Sequence, residues 1–140
     1  MDQIIVGVDR TDTAHRAAFA ASDLAACSGA NLHLVTCIRD SAPYEGANRK
    51  DTRKIDSIAE AEVFLRRLKE SLPNTQVTTS VSLAEPAVGL CDEAIRLQAS
   101  VIVVGNRRVR GPGRVLGSIA SDVARRADCH VLIANTTGDR

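Results

Sequence analysis

Aromatic residues are almost missing from this sequence. Two phenylalanines (Phe19 and Phe64), one tyrosine (Tyr44) and no tryptophan make up 2% of 140 residues. A surface that stacks single-stranded bases needs aromatic faces and finds no platform here. Charge of one sign is missing too. Eighteen Lys and Arg against 17 Asp and Glu leave a formal net charge of +1, which argues against nucleic acid or an anionic membrane as a global electrostatic partner. No apolar stretch approaches the roughly 18 residues of a bilayer span. Met1-Asp2-Gln3 and the short run after it supply neither the basic nor the apolar part of a targeting signal. The four cysteines, Cys27, Cys37, Cys91 and Cys129, form no CxxC pair and no cluster with histidine, so no metal site is expected. They read as buried, reduced structural thiols of a cytoplasmic protein.

What is present is 44% hydrophobic residues, mostly Ala, Val, Leu and Ile. That excludes a disordered chain and suits a parallel sheet sandwiched between helices. The length fits one domain, residues 1–140. Short β-branched runs alternate with longer amphipathic ones. Strands are expected at 4–8, 32–38, 76–81, 101–104 and 131–134, the third being the more exposed. The first helix is capped by Thr11 or Thr13 and ends at Gly29. It buries Ala17, Ala18, Ala20, Ala21, Leu24, Ala25 and Ala26. Residues 39–51 read as a surface loop. A second helix follows the period Ile55, Ile58, Ala61, Leu65, Leu68. Pro86 opens a third helix that buries Val88, Cys91, Ile95 and Leu90, and a fourth spans 118–127. This βαβαβαβαβ order implies parallel pairing through right-handed crossovers.

Ligands of open α/β sheets bind beyond the carboxyl ends of the strands, where the strand order switches. The segment after strand four carries the richest chemistry there. From Gly105 to Ser118 it holds four arginines (Arg107, Arg108, Arg110, Arg114), four glycines (Gly105, Gly111, Gly113, Gly117) and no acid. Glycine lets backbone approach a ligand, helix-start amides favour an anion, and guanidinium forks fit phosphate oxygens. Two readings stand: a phosphate site, or a solvated connection whose Ser118 only caps the helix. Asp9 ends strand one facing the same crevice, as a ribose-binding acid or as a helix-start carboxylate. His15, His33 and His130 share no site-like spacing. The dinucleotide fingerprint and the P-loop are both absent. A receiver-type phosphorylation domain would want paired acids after strand one, and no catalytic triad is legible.

Three stretches together resemble the universal stress protein superfamily over essentially the whole chain. They are Ile4-Ile5-Val6-Gly7-Val8-Asp9 before an Ala-rich helix; Ala84-Glu85-Pro86-Ala87; and Val103-Val104-Gly105-Asn106 through Leu116-Gly117-Ser118, followed by Cys129-His130-Val131-Leu132-Ile133. The resemblance implies a Rossmann-like three-layer sandwich with a five-stranded parallel sheet of order 3-2-1-4-5. It also implies a homodimer paired through strand five (Val131, Leu132, Ile133, Ala134), which would cover an exposed apolar edge. Some members of the superfamily bind ATP or other adenine nucleotides, with Mg2+ as a companion ion, and others bind none.

In binders, the phosphates lie on a loop of form G-x2-G-x9-G-[S/T]. Carried over, Asp9 matches the ribose-contacting acid, with Gly7 and Val8 beside it, and Cys37 falls near the adenine through its backbone. Gly105 is the first loop glycine, flanked by Val104, Asn106, Arg107 and Arg108. Gly117 and Ser118 are the last pair, and Ile119 and Ala120 add backbone amides. The sequence departs from the motif at its second glycine, where Arg108 stands. Eleven residues (106–116) separate Gly105 from Gly117, one fewer than the motif asks. The function implied is a dimeric, nucleotide-binding stress or signalling module. The alternatives are a module without nucleotide, whose arginines hold another anion or a protein partner, and a slow ATP hydrolase.

Overall fold

The structure, a computed structural model, describes residues 2–38, 47–74, 76–106 and 116–136, with side chains left aside for 47–54. The described residues form β1 (Gln3–Gly7), α1 (Asp12–Ser28), β2 (Asn31–Cys37), α2 (Ala47–Ser71), β3 (Val77–Ser82), α3 (Pro86–Arg96), β4 (Val101–Asn106), α4 (Ser118–Arg126) and β5 (His130–Asn135). All strand pairs are parallel and the order is β3-β2-β1-β4-β5, as expected. Among the described residues, no helix is long and apolar enough to cross a membrane.

Alternation along the inner strands explains the sandwich. Ile4, Val6, Leu32, Leu34, Val101 and Val103 face one side, packed with the alanines of α1 and with Leu65 and Leu68 of α2. Ile5, Val35, Ile102 and Val104 face the other, under α3 and α4. Strands buried on both faces need near-continuous apolar sequence, and β1 and β4 have it. The small side chains of α1 let it lie close on the sheet. Thr11 caps that helix, accepting from the Ala14 amide at 3.3 Å, and Gly29 ends it with φ +70°, a left-handed turn that glycine adopts without strain.

Several expectations need correction. Residues 47–51, read as loop, are the first turns of α2, whose polar start carries no apolar period; residues 39–46 lie outside the described residues. Among the described side chains of α2 the buried stripe is Ala61, Leu65 and Leu68, continued by Leu72 just past its end, and Ile55 is 66% exposed. On α3 the buried face is Ala87, Gly89, Leu90, Cys91 and Ala94, while Val88 is only half-buried and Ile95 is 63% exposed. Small residues bring that helix close to the sheet, and they set its rotation rather than the bulkier pair. On α1, Ala26 is exposed, whereas Ala14 and Ser22 are buried. Strand β4 continues through Gly105 to Asn106, because Gly105 pairs with Ala134 and Asn106 with Asn135. The thiols are not uniformly buried: Cys91 is, Cys37 and Cys129 are half-buried, and Cys27 is exposed on the outer face of α1.

Candidate functional site

The chain runs outward from β1 to β3, then crosses back to β4 and β5. The switch point therefore lies between β1 and β4, and a cavity of about 520 Å³ opens at the carboxyl ends of these strands. That volume is within the ordinary range for small-molecule sites, roughly 300–1,000 Å³. Its walls come from four places. The end of β1 supplies Gly7, Val8 and Asp9; β2 supplies Val35 and Cys37; the end of β4 supplies Val104, Gly105 and Asn106; the start of α4 supplies Gly117, Ser118, Ile119 and Ala120. Each site residue expected from the sequence and lying among the described residues thus lines one cavity. Arg107 and Arg108, together with Arg110, Gly111, Gly113 and Arg114, lie outside the described residues.

Sequence reasoning missed part of the wall. Thr11, Thr13 and Ala14 at the start of α1, Pro86 and Leu90 of α3, and Leu116 also line the cavity. The signal that could have found them is topological. In a parallel sheet every crossover helix begins at the carboxyl edge, so α1, α3 and α4 all turn their N-termini toward this crevice. Their partial positive charges converge on it.

Asp9 stands exposed at the rim. Its Oδ1 accepts hydrogen bonds from the Thr11 backbone amide at 2.8 Å and from the Thr11 hydroxyl. The carboxylate is thereby aimed by the same residue that caps α1. The N-cap of α4 is Gly117, which has no side chain to satisfy the first amides of the helix. Those amides are the natural partners of an anion. Space is tight at two strand ends occupied by glycine. A Cβ on Gly105 would come within 3.0 Å of Thr13 Cγ2, 3.1 Å of Thr136 Cγ2 and 3.3 Å of the Thr13 carbonyl oxygen. One on Gly7 would stand 2.8 Å from Leu90 Cδ1. Cys37 Sγ lies 3.9 Å from the Pro86 carbonyl oxygen, and burial pushes its thiol pKa up, so it contributes a neutral, soft surface to the floor. Leu116 and Ile119, 43% and 41% exposed, give the mouth an apolar side.

A second polar group lies apart from this cavity. His33 of β2 is buried. Its Nδ1 is 2.6 Å from the Thr78 hydroxyl and its Nε2 is 2.9 Å from the Ser80 hydroxyl. Ser80 donates in turn to Glu93 of α3 at 3.2 Å, and Arg96 donates to the same carboxylate. Burial lowers the His33 pKa, opposed by Glu93. The hydrogen bond from Arg96 lowers that of Glu93. His15 and His130 are exposed, and His15 meets Phe64 edge-on. Among the described residues, no group of three His, Cys, Asp or Glu side chains could hold a metal ion.

Comparisons with known proteins agree with this geometry. The family model for the universal stress protein family matches residues 1–135. A universal stress protein of Mycobacterium tuberculosis is 30% identical over 143 aligned positions, covering 96% of each chain. A solved universal stress protein in complex with cAMP is 30% identical, covers 97% of this chain and 98% of its own, and superposes with a TM-score of 0.68. The universal stress protein UspA from Lactobacillus plantarum is 26% identical, with 96% and 97% coverage and a TM-score of 0.81.

Proposed function

Because the chain belongs to the universal stress protein family, we propose that it binds an adenine nucleotide in the crevice between β1 and β4 and serves as a dimeric stress or signalling module of the cytoplasm, residues 1–140 acting as one such domain. The observation that carries this reading is the convergence in one cavity of an exposed carboxylate, Asp9, and an uncapped helix start at Gly117. A nucleotide presents the complementary pair: ribose hydroxyls that donate to a carboxylate, and a phosphate that accepts from amides. The cAMP complex of a 30% identical relative supports the same ligand class.

In this reading Asp9 holds the ribose. Cys37, Val35 and Leu90 give the base an apolar floor. Gly105 and Gly117 shape the phosphate end, and Ser118, Ile119 and Ala120 supply amides. Arg107 and Arg108, next in sequence after Asn106, bring positive charge. ATP, AMP and cyclic AMP are the ligands to compare, with Mg2+ accompanying the triphosphate. Strand β5 is the proposed dimer edge, since it ends the sheet and leaves Leu132 40% exposed.

Calorimetric titration with ATP, AMP and cyclic AMP tests the proposal. Saturable heat with at least one of them is expected. No heat at millimolar ligand from well-folded protein would overturn it. A nucleotide that copurifies would show directly as excess absorbance at 260 nm, against the weak background of one tyrosine and no tryptophan.

A further inference from the structure

Asn106, the last residue of β4, is 3% exposed, yet it carries a polar side chain at the cavity wall. Its Oδ1 accepts from the Gly117 backbone amide at 3.1 Å. Residues 106 and 117 bracket the arginine-rich segment, so this one bond closes the two ends of that segment on each other. The backbone carbonyl of Asn106 accepts from the Thr136 hydroxyl at 2.9 Å. Thr136 lies just past β5, is 4% exposed, and does not line the cavity. Its own carbonyl accepts from Arg16 Nη1 of α1 at 2.8 Å, and its Cγ2 lies 3.1 Å from where a Gly105 Cβ would stand.

The result is a chain of polar contacts from α1 through the end of β5 and the end of β4 to the N-cap of α4. The central bond, Thr136 to Asn106, is buried and the two flanking it are part-buried; a buried bond acts in low dielectric and holds its geometry. Gly117 is where α4 begins, so whatever fixes its amide fixes where the next amides point. The bond also removes the Gly117 amide from competition, leaving those of Ser118, Ile119 and Ala120 to meet an anion.

We propose that the Thr136–Asn106–Gly117 clasp, tied to α1 by Arg16, is the positioning device for a phosphate group at the start of α4, and that Thr136 sets phosphate affinity from outside the cavity. The inference rests on the nucleotide reading above and assigns its phosphate end. The same ligand without its phosphate should be indifferent to the clasp.

The test compares AMP with adenosine by calorimetry in the wild-type chain, Thr136→Val and Thr136→Ser. Valine keeps the shape of threonine and deletes the hydroxyl; serine keeps the hydroxyl. The wild type should prefer AMP. Thr136→Val should bind AMP about three- to tenfold more weakly, the worth of one hydrogen bond, with adenosine affinity unchanged, and Thr136→Ser should restore the preference. Equal loss for both ligands, or an undiminished AMP preference in Thr136→Val, would overturn the positioning role while leaving the nucleotide reading intact. A wild type that binds both ligands equally overturns it as well. A wild type that binds neither overturns the nucleotide reading, and this inference with it. If Thr136→Val does not fold, Arg16→Gln removes the outer contact from the surface. It should move the AMP preference in the same direction, and an unchanged preference would again refute the role.

Discussion

Gly89 faces the closest steric approach of any glycine in the described chain. It sits inside α3, where alanine would ordinarily be favoured by about 1 kcal/mol. A Cβ there would come within 2.6 Å of Ser82 Oγ and 2.8 Å of Cys37 Sγ. Ser82 Oγ cannot simply swing aside, because it accepts from the Ala84 amide at 3.2 Å. Overpacking costs about 1–3 kcal/mol, so Gly89→Ala should destabilise the protein by roughly 1 kcal/mol net, against its helix propensity. The melting temperature should drop by a few degrees, and thermal denaturation followed by circular dichroism would record it. Asp9 makes the opposite case. It is exposed, and its Oδ1 contacts are local to Thr11. Asp9→Ala should therefore cost little stability but weaken nucleotide and nucleoside binding alike, by about 10- to 100-fold, the range for a hydrogen bond to a charged group. Calorimetry on AMP and adenosine would show the parallel loss. Asp9 was legible in the sequence because it ends an apolar run. Asn106 was placed at the site as a flank of Gly105, but nothing in the sequence revealed that its carboxamide reaches residue 117.

The two outer strands differ in how their edges are protected. β3 carries hydroxyls, with Thr78 and Thr79 exposed, and does not invite apolar pairing. β5 presents Val131 and Ile133 half-buried toward α3 and α4, and Leu132 exposed on the other face. An apolar edge of this kind calls for a partner. For the proposed β5 dimer, the wild type should sediment as a dimer and Leu132→Lys should shift the profile toward monomer, while the melting temperature in dilute solution changes little. A profile that stays dimeric would remove β5 from the interface. Strands were the most legible elements, since each inner one is a bounded β-branched run. The faces of α2 and α3 were less so. Ile55 and Ile95 look like core residues by hydropathy, but small residues decided the rotation of α3, and among the described side chains of α2 the first buried one is Ala61. Size against the sheet, rather than apolarity, was the deciding quantity, and a linear sequence does not display it.

Two bulk properties follow from the whole assembly. His33 has its pKa held below the ordinary 6.5 by burial. The unfolded chain then binds more protons than the native one between the lowered value and about 6.5, so stability rises with pH across that window. Acidification from pH 7.5 to 5.5 should lower the melting temperature. Glu93, whose pKa lies below 4.5 through Arg96, extends the loss to still lower pH. His33→Gln should flatten the slope between pH 7 and 5.5; an unchanged slope would assign it to other groups. Ligand acts in the other sense. At a hundred times Kd, a nucleotide that binds only the native state adds about 2.7 kcal/mol, and the thermal midpoint should climb by several degrees. With a net charge of +1, no broad field assists such binding, and the proposed site would have to hold its anion by local contacts. The bond between Asn106 and Gly117 also bears on how this protein can change over generations. With both ends stapled to buried framework, the segment between them can be lengthened, shortened or rewritten at little cost in loop closure, which grows only logarithmically with length. Asn106 and Gly117 thus offer two fixed attachment points, between which a segment of another length or sequence could be grafted without renegotiating the fold.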